Sequence, residues 1–181
     1  SFVSTSLTNG SHTIRIVASD TAGNVSSAVT STVTIDTLAP ANSTLVIAND
    51  NGTTPVTVAN GGSTNDTTPR LSGVVSASEA GDIVRVYDNI SGSAVLVGSA
   101  VVLADGSWST NSSVLAQGTH PLSVTVTDAA GNVSGSTTAS VIIDTTAPTG
   151  LTVAAANNNG STPITIAHGG FTNDNTPALS G

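Results

Sequence analysis

The chain has no cysteine, no methionine and no lysine among its 181 residues. Without cysteine there is no disulfide framework, no zinc–thiolate site and no thiol nucleophile. Arg15, Arg70 and Arg85 are the whole cationic complement against 11 acidic residues, for a formal net charge of −8. A phosphate backbone or an anionic lipid surface needs clustered Lys and Arg, so nucleic acid and membrane are excluded as expected partners. Aromatic residues make up 2% of the chain, which leaves little to stack on a sugar ring. No apolar run approaches the ~20 residues that cross a bilayer, and Ser1-Phe2-Val3 does not read as a secretory signal. Both ends fall inside a repeat, so the segment reads as an excerpt whose export signal or anchor would lie elsewhere.

What the chain does have is a copy of itself. Val33 to Gly73 overlays Val141 to Gly181 without a gap at an offset of 108 residues, with 25 of 41 positions identical. The same offset carries Gly10-Ser11-His12 onto Gly118-Thr119-His120, and Asp20-Thr21-Ala22-Gly23-Asn24 onto Asp128-Ala129-Ala130-Gly131-Asn132. The expected organisation is therefore the end of one repeat (1–36), a complete repeat (37–144) and the start of a third (145–181). The two flanking pieces lack strands that a closed core needs. Tandem reproduction at this length points to an array of modules.

Each module reads as β. Leu122, Val124 and Val126 alternate with Ser123, Thr125 and Thr127, and Val84 and Val86 alternate with Arg85 and Tyr87. This is the period of a strand with one buried face. Turn chemistry punctuates the runs at Asn51-Gly52, Asn60-Gly61-Gly62, Gly81-Asp82, Ser91-Gly92, Asp105-Gly106, Gln117-Gly118 and Gly131-Asn132. Strands are expected near 43–48, 55–59, 68–76, 82–88, 94–103, 107–114, 120–127 and 134–143. Seven or eight short strands in ~100 residues predict an all-β, immunoglobulin-like sandwich without the antibody cysteine pair. Trp108 is the expected core plug. The hydrophobic fraction of 38%, patterned in this way, is too high for a disordered stalk.

In a meander of this kind the loops gather at two poles. Asp36, Glu79, Asp82, Asp105 and Asp128 are expected at the pole facing the preceding module, and Asp66, Asp88 and Asp144 at the other. Carboxylates crowded at a joint repel one another unless a cation sits among them. Calcium, with its six to eight oxygen ligands in forgiving geometry, suits such a place. The competing reading is that Asp in loops caps turns and confers solubility. No Asp-x-Asp-x-Asp-Gly loop decides between the two.

The ordered motifs Thr64-Asn65-Asp66-Thr67-Thr68-Pro69, Leu71-Ser72-Gly73, Val84-Arg85-Val86-Tyr87-Asp88-Asn89, Ala104-Asp105-Gly106-Ser107-Trp108, Gly118-Thr119-His120, Thr127-Asp128-Ala129-Ala130-Gly131-Asn132 and Ile143-Asp144-Thr145-Thr146-Ala147-Pro148 resemble the bacterial Ig-like repeats of giant surface adhesins. These are the biofilm-associated and RTX-type proteins exported by type I secretion in Gram-negative bacteria. The resemblance implies an extracellular fibre on the bacterial cell surface that extends an adhesive tip for cell adhesion and biofilm formation, with Ca²⁺ at the junctions between neighbouring repeats. The acids matching the family's motifs are Asp36 and Asp144 of the linkers, Asp66 of Thr-Asn-Asp and Asp128 of Asp-Ala-Ala-Gly-Asn, with Asp82 and Asp105 added. Glu79-Ala80-Gly81-Asp82 departs from the turn common in such repeats, which leaves Asp82 open as a ligand.

An enzyme would need a convergent site. His120 sits beside Pro121 at a strand start and recurs as His12 in the previous copy, which is repeat architecture rather than a triad. The nine Asn-x-Ser/Thr triplets are expected in a chain this rich in Asn, Ser and Thr. The alternative to a spacer is a module that itself binds a ligand, or that associates with other copies through strand edges that no lysine defends.

Overall fold

The computed structural model describes residues 5–181, so residues 1–4 of the expected tail lie outside it. The chain divides into a unit running to Thr145 and a second unit, Thr146–Gly181. The first unit opens with the hairpin of β1 (Gly10–Ile16) and β2 (Val29–Ile35). It continues through β3 (Val46–Asn49), β4 (Val56–Val58), β5 (Ser63–Thr64), β6 (Arg70–Val74), β7 (Ile83–Asp88), β8 (Val95–Val101), β9 (Ser107–Asn111), β10 (Gly118–Thr127) and β11 (Thr137–Ile143). The second unit holds β12 (Ala154–Asn157), β13 (Ile164–Ile166) and β14 (Ala178–Ser180).

From β3 onward the first unit is a sandwich of two sheets, ordered β4-β3-β6-β9 and β5-β11-β10-β7-β8. The alternating runs explain why they pack. Ile47, Leu71 and Trp108 point inward from the four-stranded sheet, and Val84, Val86, Val97, Leu122, Val124, Val126, Val141 and Ile143 point inward from the other. Each such burial contributes roughly 1.5–3 kcal/mol of transfer free energy. The all-β, Ig-like expectation is met. Trp108 is a core residue, and its Nε1 donates to Ser43 Oγ at 2.6 Å. That contact is possible because Gly73 has no side chain: a Cβ there would collide with the Thr44 carbonyl and the Trp108 indole.

Several expected strands end early for tertiary reasons. The 94–103 run stops at Val101 because Val102 turns into the core and Leu103 closes a turn on Gly106. The 107–114 run stops at Asn111, beyond which Ser113 N–H donates to Val97 O and Leu115 N–H to Thr67 O. The 43–48 run begins at Val46. β5, which pairs in parallel with β11, was absent from the expected strands, since two residues carry no readable period.

The repeat is a structural repeat as well. β1 and β2 pair from Gly10↔Ile35 to Ile16↔Val29, and β10 and β11 pair from Gly118↔Ile143 to Val124↔Thr137, the same register 108 residues on. The second unit reproduces the start of the sandwich: β12 pairs with β13 and β14 as β3 pairs with β4 and β6. Leu71 is fully buried, whereas its counterpart Leu179 is 71% exposed.

Candidate functional site

The acids sort by what their oxygens already hold. Asp128 heads a five-residue turn that returns on itself, with Asn132 N–H on Oδ1 and Asn132 Nδ2 on Oδ2, both at 2.8 Å. Gly131 supplies the left-handed φ of +93° on which the turn depends. The Asn132 side chain, followed by its own backbone amide and those of Gly131 and Ala130, holds the Asp128 carboxyl below its usual range despite some desolvation. Asp20 and Asn24 form the same turn in the preceding copy, at 2.9 and 2.8 Å.

Asp66 is buried at 1% exposure. Its Oδ2 accepts Asp50 N–H at 3.0 Å and its Oδ1 accepts Thr68 N–H at 2.9 Å. Burial pushes its pKa up, but the amides of Asp50 and Thr68 outweigh that, and the net shift is downward. Asp174 repeats the arrangement with Asn158 and Thr176 at 2.8 and 2.9 Å. Thr-Asn-Asp-x-Thr-Pro is thus a clamp on the β3–β4 turn. Asp105 is exposed and caps its own Asp-Gly turn, accepting Ser107 N–H at 2.9 Å and Ser107 Oγ–H at 2.6 Å. Asp144 accepts Gln117 Nε2–H at 2.9 Å. Asp66, Asp105 and Asp144 are therefore not brought together with the remaining candidates.

Asp36, Glu79, Asp82 and Asp128 are. They line one recess of about 450 Å³ between the β1–β2 hairpin and the sandwich, beside Leu38 and Pro40. Asn132 Nδ2 reaches across to the Asp36 carbonyl at 3.2 Å. Glu79 ends the 3-10 turn Ala77–Glu79, which delivers it next to Asp82 at the start of β7. Asp82 Oδ2 is buried with no hydrogen-bond partner. Desolvation first, then a shared contact with Glu79 and the charges of Glu79, Asp128 and Asp36, raise the Asp82 pKa. Burial and neighbouring negative charge both disfavour the ionised form of this carboxyl. Hard oxygen donors with an unsatisfied buried member fit a calcium ion chemically. Among the described residues, however, no group of three or more His, Asp or Glu side chains stands ready to hold a metal.

Two residues noted from the sequence gained a structural role only in the fold. His120 is buried, with Nδ1 2.7 Å from Asp88 Oδ2 and Nε2 2.8 Å from the Ala116 carbonyl. Both ring nitrogens are committed, so the pair ties β10 to β7 and to the preceding loop, and offers nothing to a nucleophile. Gln117, noted only as a turn residue, binds three groups of the outgoing linker. Recurrence of the histidine at His12, where Nε2 lies 2.7 Å from Thr8 O, was the readable signal for the first.

A family model described as bacterial Ig-like domain matches residues 39–145, which include the sandwich and its recess-lining Glu79, Asp82 and Asp128. No curated protein matches the chain.

Proposed function

Because the chain belongs to the bacterial Ig-like domain family, we propose that it is a spacer segment of a bacterial surface adhesin, whose joints are stiffened by Ca²⁺ bound between successive modules. Bacterial Ig-like domains are typically structural repeat modules of extracellular or surface proteins rather than enzymes, and no helix among the described residues is long and apolar enough to cross a membrane. The observation that carries the calcium reading is the four-carboxylate recess at the hairpin–sandwich joint. Asp36, Glu79, Asp82 and Asp128 would hold the ion, which supplies the positive charge that cancels their repulsion. Asp144 stands where Asp36 stands in the repeat.

Thermal melts of the 181-residue chain in calcium and in chelator test this. With a Kd of ~0.1 mM and ~10 mM calcium, the ion stabilises the joint by about 2.7 kcal/mol. Asp82→Asn removes one charge from the repelling cluster, so it should melt at or above wild type in chelator and gain less from calcium. A wild-type chain that folds but melts at the same temperature with and without calcium rules the ion out.

A second reading has one observation in its favour. β4 is an edge strand with no charged residue, and Val56 is 67% exposed on it. β13 repeats this with Ile164 at 70%. Uncharged edges recurring along an array favour lateral pairing of copies. Sedimentation of the chain across a concentration series should then show association, and Val56→Lys together with Ile164→Lys should abolish it.

A further inference from the structure

The same kind of side chain holds the linker at both repeat ends. β11 finishes at Ile143, and Asp144 N–H makes the last strand-like bond, to Thr64 O at 2.8 Å. Thr145 N–H is the next donor along the chain, and Gln117 Oε1 accepts it at 2.9 Å. The same oxygen accepts Thr145 Oγ1–H at 2.9 Å, while Gln117 Nε2 donates to Asp144 Oδ1 at 2.9 Å. At the equivalent place 108 residues earlier, Asn9 Oδ1 accepts Thr37 Oγ1–H at 2.8 Å. There Asp36 Oδ1 instead turns onto Leu38 N–H, at 3.0 Å.

We infer that the amide just before the glycine opening β10 (Gln117) or β1 (Asn9) is a positioning residue. It fixes the course of the chain as it leaves the sheet, and its grip is graded by its length. Gln117 is one methylene longer than Asn9 and makes at least three bonds to its linker, one of them from the backbone. Asn9 makes one, to a side chain. An amide is uncharged, so the two bonds its oxygen accepts from Thr145 require neither a cation nor a particular pH. It acts on the linker's first residues, ahead of Pro148 and Pro40, whose rings restrict φ further along. The stiffness of a joint is then written partly at one position, with Gln giving a firmer exit than Asn. This is independent of the calcium reading.

Amide hydrogen exchange on the full 181-residue chain, in chelator, tests it. Thr145 N–H should exchange about tenfold more slowly than an unstructured amide, in keeping with a local opening equilibrium. Gln117→Ala should abolish that protection while β10 and β11 amides keep theirs. Gln117→Asn should leave Thr145 N–H unprotected, and Asn9→Gln should create protection at Thr37 N–H. Equal exchange at Thr145 in wild type and Gln117→Ala overturns the inference. So does protection in wild type that appears only when calcium is present, because then the ion and not the amide orders the linker.

Discussion

Asp66 and Asp82 are both partly or wholly withdrawn from water, yet they shift in opposite directions, and the difference is what surrounds them. At Asp66 burial is outweighed by two backbone amides and the pKa falls below the usual 3.8, whereas at Asp82 burial, with other carboxylates adding to it, raises the pKa. The Asp66 shift means that the folded chain binds this proton less tightly than the unfolded one. Its stabilisation is complete above the ordinary carboxylate range and is lost as pH falls through the folded value, below 3.8. Asp82 works the other way: stability is lost as pH rises from 3.8 through its higher folded value. Asp66→Ala should cost about 2 kcal/mol at pH 7, since two amides lose a charged acceptor. Chemical denaturation of both chains from pH 7 to pH 2.5 should show the gap narrowing only in the most acidic samples. Asp88→Ala should cost about 3 kcal/mol, because it strands His120 in the core opposite a missing partner.

At the level of elements, the hairpins are the most self-specifying parts of the chain. β10 shows its period at Leu122, Val124 and Val126, and the observed strand covers the expected one with two residues added at its start. The Asp-x-Ala-Gly-Asn turn carries its donors, its acceptor and its glycine within five residues, so it forms at both Asp20 and Asp128. Gly131→Ala places a Cβ at φ +93° and should cost about 1–2 kcal/mol, measurable by equilibrium unfolding. The same substitution at Gly81, where φ is +100°, should cost a similar amount, since a Cβ there meets nothing but must adopt the same backbone. Elements with no period of their own were not legible. β5 exists because β11 offers an edge to it, and residues 112–115 lie where they do because Val97 and Thr67 accept their amides. The 3-10 turn that aims Glu79 at the recess is likewise set by its surroundings.

For the molecule as a whole, the distribution of charge matters more than its sum. Acids read as one class in the sequence divide into turn caps, a core clamp, a buried Asp–His hydrogen bond and a four-carboxylate recess. The recess is the place where the proposed cation would act. Small-angle scattering of a tandem array, recorded in calcium and then in chelator, should show a shorter mean end-to-end length without the ion if the joints soften. The array should keep the part of its extension that proline and the Gln117 amide supply. The repeat unit, the sandwich class, the strand-bearing runs and the self-capping turns were determined by the sequence, because each depends on residues within a few positions of one another or on a period that burial imposes. The pole shared by Asp36, Glu79, Asp82 and Asp128 was expected from the sequence, but that they line one recess and that Asp105 does not join them was decided only by the tertiary structure. Those partners are far apart along the chain, and they meet only where two closed sheets and a preceding hairpin bring their loop ends together.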